Sequence, residues 1–67
     1  MATGTIKKVV SDRGFGFIRT QEGREVFFHR SECRSIDFEE LDQGQTVEFD
    51  EEHDPKGPRA RNIRRAN

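Results

Sequence analysis

The chain's 67 residues leave room for one domain spanning 1–67 and no second one; a core that small supports a stability on the order of a few kcal/mol. Charged residues make up 37% and hydrophobic residues 30%, a balance leaning toward disorder, yet the net charge is only −1 and the apolar residues fall in short alternating runs, as in a thinly cored folded domain. Cys33 is the only cysteine and no apolar run approaches membrane-spanning length, so an internal disulfide is excluded and neither secretion nor a membrane partner is expected. No basic stretch followed by an apolar one opens the sequence, so we expect no signal peptide and a cytoplasmic location.

Five strand-like runs follow one another. Thr3 to Val10 is rich in β-branched residues and ends at Asp12-Arg13-Gly14; Phe15 to Thr20 comes next, and Gln21-Glu22-Gly23 turns it into Glu25 to His29. A longer polar segment then intervenes, where Phe38 and Leu41 in "DFEELDQG" support one short helical turn. Thr46 to Glu51 alternates cleanly, and the turn signal Asp54-Pro55-Lys56-Gly57-Pro58 leads into Arg59 to Arg64. Five short strands with one longer connection predict an all-β fold, a small closed five-stranded antiparallel barrel. Charge is segregated along the same path: residues 1–31 carry six bases against three acids, 32–54 carry ten acids against Arg34 alone, and 55–67 carry five bases and no acid. That asymmetry predicts a basic face and an acidic face.

The second strand sets the functional question. Phe15 and Phe17 alternate with Gly14 and Gly16, so both rings share one face and the glycines the other. Rings are usually buried, which would put them in the core. Alternatively, Gly14 and Gly16 line a tightly curved barrel wall. The core is then Ile6, Ile18, Val26, Phe28, Val47, Phe49 and Ile63, while Phe15, Phe17, Phe27 and His29, flanked by Lys7 and Arg19, form an outer platform on which unpaired bases stack. The residues by themselves leave both placements open.

"RGFGFI" followed eight residues later by "VFFH" resembles the paired ribonucleoprotein motifs of the cold-shock domain family. "TGTIKK", "LDQGQTVEF" and "KGPRARNI" resemble the same family in the same order, across nearly the whole chain. RNA-recognition motif domains share the first motif, but they carry the second on an earlier strand and need two helices, which this sequence lacks. The resemblance implies an oligonucleotide-binding barrel holding single-stranded RNA or DNA, with Phe15, Phe17, Phe27 and His29 outward. The chain departs from the family where most members have Lys-Trp-Phe-Asn: it has Lys7-Lys8-Val9-Val10, and Arg30 stands where another aromatic is common. Three π-surfaces are thereby missing, two of them exchanged for cations.

Strand phase raises two further points. Lys8 and Arg61 share parity with the inward Ile6 and Ile63; a bulge near Lys7 to Val9 would free Lys8, and Arg61 would reach solvent by snorkelling at the barrel mouth. His29, Cys33 and His53 are too few and too scattered for a zinc site, and no catalytic constellation appears, so we expect neither metal, cofactor, small-molecule substrate nor enzymatic activity. Arg59, Arg61, Arg64 and Arg65 read equally as a phosphate-binding strand or as a basic tail, frayed over about 64–67. The expected protein is a monomer that stacks bases on Phe15, Phe17, Phe27 and His29, with Lys7, Lys8, Arg30 and Lys56 attending the backbone, as an RNA chaperone or a regulator of transcription or translation. The rival is a cold-shock fold with weakened nucleic-acid affinity that serves as a protein-interaction module.

Overall fold

A computed structural model of the chain describes residues 2–33 and 36–66. Its elements run β1 (Ala2–Val10), β2 (Phe15–Thr20), β3 (Glu25–His29), two single 3-10 turns at Arg30–Glu32 and Phe38–Glu40, then β4 (Thr46–Asp54) and β5 (Gly57–Arg65). β2 and β3 have the bounds the pattern predicts. β4 and β5 are longer than predicted, because the turn between them tightens to Pro55-Lys56 and both strands run up to it.

The strands close into a barrel in the order β1-β2-β3-β5-β4. This is the closed five-stranded barrel expected from the sequence, with one detail corrected: β3 and β5 meet in parallel, through Phe27 and Arg59. An odd number of strands forces this, since strict alternation of direction around a closed ring needs an even count. The other four contacts are antiparallel.

Ile6, Ile18, Val26, Phe28, Val47, Phe49 and Ile63 are all buried, the core that outward Phe15 and Phe17 require. Ile36, Phe38, Leu41 and Ala60 join them, and the Phe38 ring meets the Phe28 ring at 6.1 Å. The β3–β4 connection is therefore part of the core rather than a polar excursion. Gly16 faces inward as expected: a Cβ there would stand 2.5 Å from the Lys8 carbonyl and 2.7 Å from Phe28. Gly14 has another reason to be glycine. It sits in the β1–β2 turn with φ of 76°, a left-handed conformation, and not in the strand wall.

Two bulges resolve the two phase conflicts. Ile6 lies opposite Ile18 but Lys8 lies opposite Phe17, so Lys7 is the extra residue and everything after it changes face. The Gln45 carbonyl accepts from Ile6 N at 2.8 Å, and Gly44 N donates to the Ile6 carbonyl at 2.7 Å, which fixes the backbone just before the bulge. On β5, Asn62 and Ile63 together oppose Phe49, between the pairs Glu48–Arg64 and Asp50–Arg61. Asn62 takes φ of 53°, and its amide donates to Asp50 Oδ2 at 3.1 Å. This corrects the snorkelling assigned to Arg61. The bulge turns its side chain outward, between Glu52 at 3.2 Å and Glu32 at 3.6 Å.

Candidate nucleic-acid interface

Phe15, Phe17 and Phe27 stand half-buried on the outer face of β2 and β3. Their centroids form a nearly equilateral triangle: 6.0 Å from Phe15 to Phe17, 5.7 Å from Phe15 to Phe27 and 6.0 Å from Phe17 to Phe27. The Phe15–Phe27 pair is tilted by 37°, while Phe17 stands edge-on to both partners at 84° and 69°. Rings in mutual contact hold one another's rotamers, so flat apolar surface is presented to solvent without freezing long side chains. His29 lies directly opposite Phe15 and extends the same face. Its Nδ1 accepts from Ser31 N at 3.2 Å, with Ser31 Oγ at 3.0 Å, which leaves Nε2 to carry the proton and point away as a donor.

The β1 bulge brings two more residues to this face. Lys8, exposed, lies opposite Phe17, and Val10 lies opposite Phe15. Val10 was not foreseen, because only the added residue at Lys7 moves it to the outer side. Val9 takes the inner side, opposite Gly16, and packs against the core. The reading that Val9 costs a stacking surface is thus corrected: a side chain at this position faces the core. Arg30 starts the first 3-10 turn at the end of the face, where its N donates to the Gly14 carbonyl at 2.8 Å and its aliphatic stem lies across Gly14. Lys56 lies apart from the first-strand lysines, in the β4–β5 turn beside Phe27.

The cations divide into two sets. Lys7 on β1 is tied to Glu25 at the start of β3, and that contact holds the Glu25 carboxyl below its ordinary value. Arg24 grips Glu51 at 2.8 Å; Arg64 lies 3.6 Å from Glu48 and 3.7 Å from Asp50; Arg65 lies 3.5 Å from Glu40. Arg59 sits between Asp54 and the buried Glu32, and Arg61 between Glu32 and Glu52. Among the described residues, Lys8, Arg13, Arg19, Arg30 and Lys56 have no such carboxylate. Arg64 and Arg65, read from sequence as phosphate contacts or a frayed end, lie within β5 as partners of acids; Asn67 is outside the described residues. Arg59 also belongs beside the rings, opposite Phe27 in register, which no pattern in the sequence signals.

Among the described residues no three His, Cys, Asp or Glu side chains converge to hold a metal ion, and no helix is long and apolar enough to cross a membrane. Burial pushes the Cys33 thiol up to about 11, with Glu32 adding to the effect, far from the lowered values of reactive cysteines.

A family model, the 'cold-shock' DNA-binding domain, matches residues 2–66. The chain is 46% identical over 63 residues to the major cold shock protein of Streptococcus pyogenes serotype M6, covering 94% of each. It is 44% identical over 63 residues to cold shock protein 2 of Lactiplantibacillus plantarum, covering 94% of this chain and 96% of that one. With cold shock protein CspC of Bacillus subtilis the identity is 42% over 66 residues, 98% of this chain and all of the other.

Proposed function

The chain belongs to the 'cold-shock' DNA-binding domain family, a nucleic-acid-binding and non-enzymatic family, and from that premise we propose that it holds single-stranded RNA or DNA by stacking bases on Phe15, Phe17, Phe27 and His29. The observation that carries this reading is the ring triangle, half-exposed on the outside of a barrel whose core is complete without it. Every base has a π-face, so such a platform tolerates sequence. Lys8, Arg30 and Lys56 contact the backbone, joined by Lys7 when it leaves Glu25. Arg30 also offers a planar cation for stacking. The domain acts as a cytoplasmic monomer that keeps transcripts unpaired, as an RNA chaperone or as a regulator of transcription or translation.

The rival role as a protein-interaction module rests on the missing first-strand aromatics together with the ten acids of residues 32–54. Seven of those ten acids (Glu32, Glu40, Glu48, Asp50, Glu51, Glu52 and Asp54) face arginines of the same chain. Five arginines (Arg24, Arg59, Arg61, Arg64 and Arg65) thus offset about half of the segment's ten negative charges within the fold, which weakens that support for the rival.

Fluorescence anisotropy with labelled short oligonucleotides tests the platform. Phe17→Ala should weaken binding by about 1–3 kcal/mol while the barrel stays folded. Phe49→Ala, in the core, should instead lower stability by about 3–5 kcal/mol. Loss of the fold in Phe17→Ala with the severity of Phe49→Ala would overturn the outward reading.

A further inference from the structure

We propose that the groove between Phe27 and the β4–β5 turn reads a single guanine base, with Asp54 as the specificity-determining residue; the inference rests on the single-strand reading above. The groove has a volume of about 470 Å³ and is lined by Phe27, Asp54, Lys56, Gly57, Pro58 and Arg59. Phe27 gives it an aromatic wall continuous with the ring triangle. Two of its polar side chains, Asp54 and Arg59, lie against each other. Asp54 Oδ1 accepts from Lys56 N at 3.4 Å, and Oδ2 faces Arg59 Nη1 at 3.5 Å. Behind Arg59 lies the Glu32 carboxylate, with 8% of its side chain exposed and 3.9 Å from Arg59 Nη2. Asp54 keeps 32% of its side chain in solvent, so its carboxylate has acceptor capacity left.

The charge balance of the groove argues for a base and against a phosphate. Its two cations, Lys56 and Arg59, are matched in number by Asp54 and Glu32, which both lie against Arg59, and a phosphate entering the groove would confront the Asp54 carboxylate. A neutral base edge carries no such penalty. Among the bases, only guanine presents two adjacent donors, N1–H and the N2 amino group, which match the two oxygens of a carboxylate. Its O6 and N7 are acceptors for an arginine or lysine on the other edge. Adenine and cytosine set one amino donor beside a ring acceptor, and thymine or uracil flanks one N–H with two carbonyl oxygens, so each turns an acceptor toward the carboxylate. In single strands all of these edges are open. The ring triangle and this groove therefore divide the work: one stacks any base, and the other selects.

The test uses the intact protein and a fluorescein-labelled oligo(dT) heptamer, with one thymine replaced in turn by guanine, hypoxanthine or adenine at each position. Guanine at one position should tighten binding about tenfold over thymine. Hypoxanthine, which lacks the N2 amino group, should lose most of that gain, and adenine should show none. In Asp54→Asn the ratio of guanine to thymine affinity should fall toward one. Equal binding of guanine and thymine at every position overturns the guanine readout and leaves the ring platform standing. Hypoxanthine binding as tightly as guanine, or a guanine preference surviving in Asp54→Asn, removes Asp54 from the readout. Failure to bind any of the heptamers overturns the platform reading, and the groove assignment falls with it. The hypoxanthine comparison is made on the native chain, so it decides the matter even if Asp54→Asn proves unstable.

Discussion

Lys8 stands where the resemblance to the cold-shock family implies an indole, and its position permits a direct test. It stands opposite Phe17, exposed, on the ring face. An indole there would add one stacking surface beside Phe15 and Phe17 at the expense of one cation. Stacking survives salt, whereas an exposed charge contact is screened. Lys8→Trp should therefore tighten single-strand binding at moderate salt, and its fluorescence should be quenched by ligand. The native chain has no Trp, so the signal reports one site. Unchanged affinity with fluorescence that ignores oligonucleotide would show that position 8 does not contact the strand. Cys33 offers a second residue-scale check. With its thiol raised to about 11 by burial, it should alkylate with iodoacetamide at pH 8 far more slowly than a free thiol. The rate should climb as pH rises toward that value, and a rate at pH 8 equal to that of a free thiol would contradict the burial.

At the scale of elements, β1 and β2 depend on each other through Gly16. Its missing Cβ is the space in which the Lys8 carbonyl and the Phe28 ring sit. A backbone carbonyl cannot step aside, so Gly16→Ala should lower stability by about 1–3 kcal/mol through overpacking, read as a drop in the denaturation midpoint. An unchanged midpoint would show that the strand pair can relax. The same pair shows what the sequence reveals and what it conceals. Alternation located β2 and β3 and separated Phe28 from Phe27, because both strands are regular and each side chain's parity states its face. Parity fails where a residue is inserted. Lys8 against Ile6 and Arg61 against Ile63 announced two conflicts, but only the register shows that Lys7 and the Asn62–Ile63 step absorb them. Val10 and Arg59 reached the ring face by routes invisible to local pattern, one through a bulge and one through the parallel β3–β5 contact. The resemblance to the family supplied the outward rings, which alternation on its own left undecided.

For the whole molecule, the decisive feature is how a chain of net charge −1 leaves cations available to a polyanion. β5 and β4 pair their charges across the ladder, and this has a consequence in acid. The Asn62 amide, aided by Arg64, holds the Asp50 carboxyl below its ordinary 3.8, and Lys7 does the same for Glu25 below 4.5. A carboxylate whose folded pKa is depressed contributes stability above its unfolded value, and that contribution is lost as pH falls through the folded one. The unfolding midpoint should therefore begin to fall as pH drops below about 4.5, and Lys7→Ala should flatten that limb. The same pairing governs binding. Arg24, Arg59, Arg61, Arg64 and Arg65 are engaged with acids, so in the proposed interface few cations, chiefly Lys8, Arg30 and Lys56, are left to meet a strand. Each single-strand phosphate contact contributes about −0.7 to the log–log salt slope, which sets the expected value at about −1 to −3. Glu25→Gln frees Lys7 from its partner and should steepen the slope by about 0.7, one further contact. A native slope far steeper than that range would mean that the β5 arginines abandon their carboxylates for phosphate, and that charge rather than the ring face carries the affinity.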